Sequence, residues 1–164
     1  MKNAGTTAKL AYLGHVVSEN RHGLIAVAQV TQANGTAERS AAIDMLGDLS
    51  GPRRCTLAAD NGYDTCEVVR QTRELNATPH VAQNVERRGG SDINARTIRH
   101  GRYALCITER KPFEGYFGWT KNIGLHQQPK MRGRRKIGFA TLLTINGYNP
   151  SVHAQSSRSG IYAA

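Results

Sequence analysis

The sequence predicts a mixed α/β fold, and three observations carry that prediction. Short apolar segments of strand length recur at residues 9–19, 24–32, 55–59 and 78–84. Other segments place their apolar residues at helical spacing. Glycine, asparagine and proline mark the joins between the two kinds.

Residues 9–19 (KLAYLGHVVSE) mix alternation with a short apolar core and predict a strand, and 24–32 (LIAVAQVTQ) predict a second. Arg21-His22-Gly23 supplies a turn between them, so the pair reads as an antiparallel hairpin. A helix is expected next: Thr36 can cap it and Glu38 complements its positive end. Ala42, Met45, Leu46 and Leu49 give it an apolar face until Ser50-Gly51-Pro52 stops it. Residues 55–59 (CTLAA) suit a buried strand ending at Asp60. After the tight turn Asn61-Gly62-Tyr63, Asp64 and Glu67 form a capping-box-like start to a helix through Val68, Val69 and Leu75. Residues 78–84 predict one more strand, giving the order β-β-α-β-α-β.

The polar, basic stretch 85–102 reads as a loop that is mobile or contacts a polyanion. A helix is expected over 107–124, with Pro112 awkward in its first turns. A last helix is expected from about 134 to 148, ended by Asn149-Pro150, with residues 150–164 a disordered tail. No internal repeat is visible.

A chain of 164 residues can bury one real core and is short for two domains. No apolar run approaches the ~20 residues of a membrane span. The opening MKNAGTTAKLAYLGH lacks a continuous apolar stretch, so no signal peptide is read and a cytoplasmic protein is expected. Cys55, Cys66 and Cys106 show no CxxC or Cys/His pairing, which favours reduced thiols over a zinc site. Twenty-two Lys and Arg against twelve Asp and Glu give a formal charge of +10. That imbalance favours a polyanionic partner, because each neutralised phosphate releases counterions. A solvated basic surface is the plainer alternative. Neither a membrane nor a small-molecule substrate is expected as a partner.

Two positions stand out chemically. Asp60 ends an apolar strand just before a glycine turn, the crevice edge where open α/β sheets hold ligands. Arg110, Glu114 and Lys121 are spaced i, i+4 and i+11, which on one helix brings them within about 40° of each other. That face is either a solvated set of ion pairs or a metal-binding carboxylate flanked by phosphate-contacting cations.

The segment Ala59-Asp60-Asn61-Gly62-Tyr63-Asp64 resembles the A-D-x-G-Y-D stretch of DDE transposases from insertion sequences of family five and the neighbouring family four. Arg110, Glu114 and Lys121 resemble the Y-x2-R-x3-E-x6-K signature around their third acidic residue. The resemblance continues at Gly14-His15, Glu19-Asn20-Arg21, residues 35–39, residues 78–84, Arg96-Thr97, His100, Phe117-Gly118-Trp119, Arg132-Gly133 and Tyr148-Asn149. These matches are collinear over roughly residues 9–149, read as one partial DDE domain over residues 1–149.

The resemblance implies a ribonuclease-H-like mixed sheet flanked by helices, and two-metal strand cleavage and transfer with Mg²⁺ or Mn²⁺. Asp60 would be the second acid and Glu114 the third, both metal ligands. Arg110 and Lys121 would contact transposon-end phosphates. Arg87, Arg88, Arg96, Arg99, Arg132, Arg134 and Arg135 would extend that DNA surface, and other transposase copies would be partners. The sequence departs from the pattern at Ile107, where the signature has tyrosine, and at Gly115, often a second acid. The first aspartate, on the strand before the hairpin, has no counterpart here, and Asp44 and Asp48 lie on a predicted helix as solvated charges. The expectation is therefore a catalytic-core fragment, lacking the first, central strand, that is inactive alone. The competing classes are a non-enzymatic DNA-binding or regulatory product and, last, an RNA- or ribosome-associated module. The last lacks the interleaved aromatic and basic residues that single-strand stacking needs.

Overall fold

The computed structural model describes residues 11–109, 114–122 and 131–158. Among the described residues, four strands and six α-helices follow in the order β1 (Tyr12–Ser18), β2 (Ile25–Gln32), α1 (Ala37–Leu49), β3 (Cys55–Ala59), α2 (Cys66–Glu74), β4 (Ala77–Val81), α3 (Ala95–Ile98), α4 (Gly101–Glu109), α5 (Glu114–Asn122) and α6 (Arg134–Arg158). The mixed α/β class and the β-β-α-β-α-β order follow the sequence expectation. Among the described residues the strands form two separate two-stranded sheets, β1-β2 and β3-β4, where one mixed sheet was expected. The chain divides into two compact units, residues 1–42 with 112–164 and residues 43–111. No described helix is long and apolar enough to cross a membrane.

In the first unit, β1 and β2 pair antiparallel from Tyr12↔Gln32 to Ser18↔Ile25, with an irregularity after Val17. Gly23 adopts φ +71° in the connecting turn, a conformation that favours glycine. Its N–H donates to the Glu19 carbonyl at 3.0 Å, closing the turn. The Asn34 carboxamide, rather than the expected Thr36 hydroxyl, accepts from the Thr36 and Ala37 amides at the start of α1. Buried Ile25, Tyr116 and Ile145 join β2, α5 and α6, with Val16, Ala28 and Tyr148 packed against them.

Helix α6 starts where the sequence places it but runs through Pro150 to Arg158, so residues 150–158 are helical rather than tail. Proline there lacks one N–H, but neighbours on both sides tie the backbone down. The Ser151 hydroxyl donates to the Tyr148 carbonyl at 2.7 Å. The Asn149 amide accepts from Ile25 N–H at 2.9 Å and donates to Ile25 C=O at 3.0 Å, fastening the helix to β2.

In the second unit, β3 and α2 lead into β4, which pairs parallel with β3 from Cys55↔Ala77 to Ala59↔Val81. Leu46, Leu57 and Ala77 are buried together, with Leu75 beside them. Val69, Val81 and Ile93 form a second cluster, covered by Ala59, Tyr63, Ile98 and Tyr103. The N-cap of α2 is Thr65, whose hydroxyl accepts from Val68 N–H at 3.4 Å. The predicted capping box at Asp64 is therefore displaced by one residue. Past the C-terminal end of α2, Asn76 adopts φ 55°, a left-handed position that asparagine tolerates.

The helix expected over 107–124 falls partly outside the described residues, and the chain is helical on either side of residues 110–113. Helix α4 begins at Gly101, inside the stretch read as loop, and α5 begins at Glu114. Residues 110–113, including Arg110 and Pro112, lie outside the described residues.

Candidate functional site

Asp60 follows β3 directly, at the carboxyl end of the parallel pair, and its side chain is exposed. Its position is held by the turn it opens. The Asp60 carboxylate accepts from Asn61 N–H at 2.7 Å, and its carbonyl accepts from Tyr63 N–H at 3.0 Å. Asp60 caps one end of the short 3-10 turn Asn61–Tyr63 and Asp64 caps the other, donating its N–H to the Asn61 carbonyl. The A-D-x-G-Y-D motif is thus one structural piece with a carboxylate at each end.

The two carboxylates differ completely in environment. Asp64 is 1% exposed. Its oxygens accept from Asn84 N–H at 2.7 Å and from Asp92 N–H at 2.9 Å. Burial pushes its pKa up, but the Asn84 amide, the Ser91 hydroxyl, the Asp92 amide and the Arg87 charge outweigh that and hold it below the ordinary carboxylate value. Its lone pairs face the protein interior, so Asp64 is a structural anion and not an open ligand.

Arg87 completes this arrangement. Its guanidinium donates to the Asp64 carbonyl, to the Gly90 carbonyl at 2.8 Å and to the Asp92 carboxylate. Gly89 and Gly90, at φ +102° and +77°, let the chain turn tightly around it. The stretch 85–102, read from sequence as mobile or DNA-contacting, is therefore an ordered turn leading into α3 and α4. Asn94 caps α3 through Thr97 N–H at 3.0 Å, and Ile93 is buried against Val69 and Val81.

Beneath this loop lies buried His80, with its ring 5.6 Å from Tyr103 and 5.8 Å from His100. The Tyr103 hydroxyl donates to the Val81 carbonyl at 2.8 Å. Burial and then the His100 charge hold His80 below the ordinary histidine value. These residues give the Thr78–Asn84 and His100 matches a structural meaning: they seat the loop on β4.

The predicted site residues fall as follows. Arg88 is exposed on the ordered loop, Arg96 on α3 and Arg99 just past it, all in the second unit, which also carries Asp60. Arg87 is half-buried and turned to its own loop. Arg132, Arg134 and Arg135 are exposed at and just before the start of α6 in the first unit. Glu114 and Lys121 both belong to α5, at its first and eighth positions. Arg110 lies outside the described residues. Sequence reasoning missed Asp64, Arg87 and Asp92 as a unit, since their partners stand 5 to 28 residues apart along the chain.

The family-specific matches on α5 and α6 also serve packing. Tyr148 meets Tyr116 edge-on at 5.0 Å and Trp119 at 5.4 Å. Burial, with Tyr148 as neighbour, raises Tyr116 to about 12. Cys55 and Cys66 are exposed and Cys106 is half-buried. Among the described residues no group of three or more His, Cys, Asp or Glu stands close enough to hold a metal ion.

A family model for the transposase DDE domain matches residues 2–146 of this chain. No curated protein matches it, and no solved structure does.

Proposed function

The chain belongs to the transposase DDE domain family, and from that premise we propose that it is an insertion-sequence transposase core that holds DNA but does not cut it by itself. The observation that carries this reading is Asp60, an exposed carboxylate fixed at the carboxyl end of the β3-β4 pair. In the reading it is the second acid of a two-metal site and Glu114 is the third.

The donor chemistry fits Mg²⁺ or Mn²⁺ at Asp60: a hard oxygen ligand, exposed, and oriented by a backbone amide. Bound there, the metal would supply activation of an attacking oxygen and stabilisation of the leaving one. The chain's own residues orient and neutralise. Arg110 and Lys121, with Arg88, Arg96, Arg99, Arg132, Arg134 and Arg135, contact transposon-end phosphates, and the turn Asn61–Tyr63 keeps Asp60 in place. In this reading the first aspartate of the resemblance has no counterpart among the 164 residues. Two carboxylates are one short of that pattern's site, so the 164-residue chain alone is proposed to bind without cleaving. A regulatory role by occupying transposon ends follows from the same phosphate contacts.

The test pairs a fluorescein-labelled duplex oligonucleotide with a supercoiled plasmid. Affinity for the duplex is expected to drop steeply between about 50 and 200 mM salt, and the plasmid is expected to stay intact with Mg²⁺ or Mn²⁺. Affinity indifferent to salt overturns the DNA role. Plasmid nicking that disappears in Glu114→Ala overturns the inactivity.

A further inference from the structure

We infer that Asp64 is a positioning residue, which clamps the turn carrying Asp60 to the basic loop and thereby holds Arg88, Arg96 and Arg99 in a fixed array for DNA phosphates. The inference rests on the proposed DNA role and adds to it how the surface is organised. Three features converge on it. The Asp64 carboxylate bridges the two ends of the loop, taking Asn84 N–H before the turn and Asp92 N–H after it. Arg87 locks the same loop from inside, joining the Asp64 carbonyl to Gly90 and Asp92. Past the clamp, Ile93 is buried with Val69 and Val81, and Asn94 caps the helix that presents Arg96 and Arg99.

The cations divide into two roles. Arg87 is bound to its own loop, whereas Arg88 is exposed on that loop, Arg96 on α3 and Arg99 just past it. An array whose backbone is fixed in advance meets phosphates without first ordering that backbone, and such ordering otherwise subtracts from affinity. Because Asp64 closes the turn that Asp60 opens, one element fixes both the reactive carboxylate and the phosphate-facing loop.

The experiment measures anisotropy of the labelled duplex against salt for the full chain and for Asp64→Asn, Asp92→Asn, the triple Arg88→Ala/Arg96→Ala/Arg99→Ala variant, and each Asp variant combined with the triple. Asp92→Asn keeps the backbone amide that Asp64 accepts from, so it serves where Asp64→Asn fails to fold. The triple variant is expected to lower the slope of log affinity against log salt by about 2.7, from about 0.9 per lost phosphate contact. Each Asp variant is expected to lower it by about 1 or more on the same scale, and to weaken binding about tenfold or less. Added to the triple variant, the same substitutions are expected to cost nothing further, because the groups they position are gone. A merely structural role predicts losses that add in full. Unchanged slopes in both single variants, or full additivity, overturn the inference. A wild-type chain without salt-sensitive binding overturns the underlying DNA reading instead, which the wild-type curve alone reveals.

Discussion

At the residue scale, protonation separates the buried groups by pH window. His80 and His15 are both held below the ordinary value of 6.5, by burial first in each case. The folded chain therefore takes up their protons less readily than the unfolded one. Their effect is absent above about 6.5, and stability falls as pH drops below that value. Asp64 has the opposite origin and the same direction: its lowered pKa contributes stability above the ordinary 3.8, which is lost as pH falls through its folded value. The thermal midpoint plotted against pH is expected to fall in two steps, one below 6.5 and one below 3.8. His80→Phe, which keeps a ring beside Tyr103, is expected to shrink the first step and leave the second. Asp64→Asn is expected to do the reverse. A single step in the wild type, or a first step indifferent to His80, contradicts these assignments.

At the element scale, local patterns were legible and long-range ones were not. The strand over 55–59 was readable because its apolar run is short and ends at Asp60 beside a glycine turn. Its ability to place Asp60 at a sheet end came with it. The early start of α4 at Gly101 was not readable, because 85–102 is polar and glycine-containing. The end of α6 was misplaced because Asn149-Pro150 is a stop signal in isolation, whereas here Asn149 bonds a strand 124 positions away. That contact yields a prediction. Asn149→Ala removes the amide that matches both Ile25 N–H and Ile25 C=O, and Ile25 is buried. At about 1–3 kcal/mol for each of the two orphaned groups, a loss of about 2–6 kcal/mol is expected. Chemical denaturation measures it, and a change below about 1 kcal/mol means that solvent replaces the amide.

At the scale of the whole molecule, the question is what the small sheets do with their edges. A parallel pair of strands is normally buried on both faces and flanked by further strands. Strand β4 is buried as such a strand is, at Ala77, Pro79, His80 and Val81. Strand β3 has the apolar composition of an inner strand, yet Cys55 and Thr56 are exposed, and among the described residues only β4 pairs with it. An unpaired strand edge is a template for another chain. The expected behaviour of the isolated chain is concentration-dependent self-association through β3, measurable by sedimentation velocity. Thr56→Lys places a charge on the exposed part of that strand, the device by which edges are kept apart. It is expected to raise the monomer fraction while leaving the circular dichroism spectrum unchanged. Its effect should differ from that of added salt, which weakens contacts between charged surfaces but leaves apolar strand pairing intact. Self-association that salt abolishes and Thr56→Lys does not touch assigns the contact to charge, and removes β3 as its site.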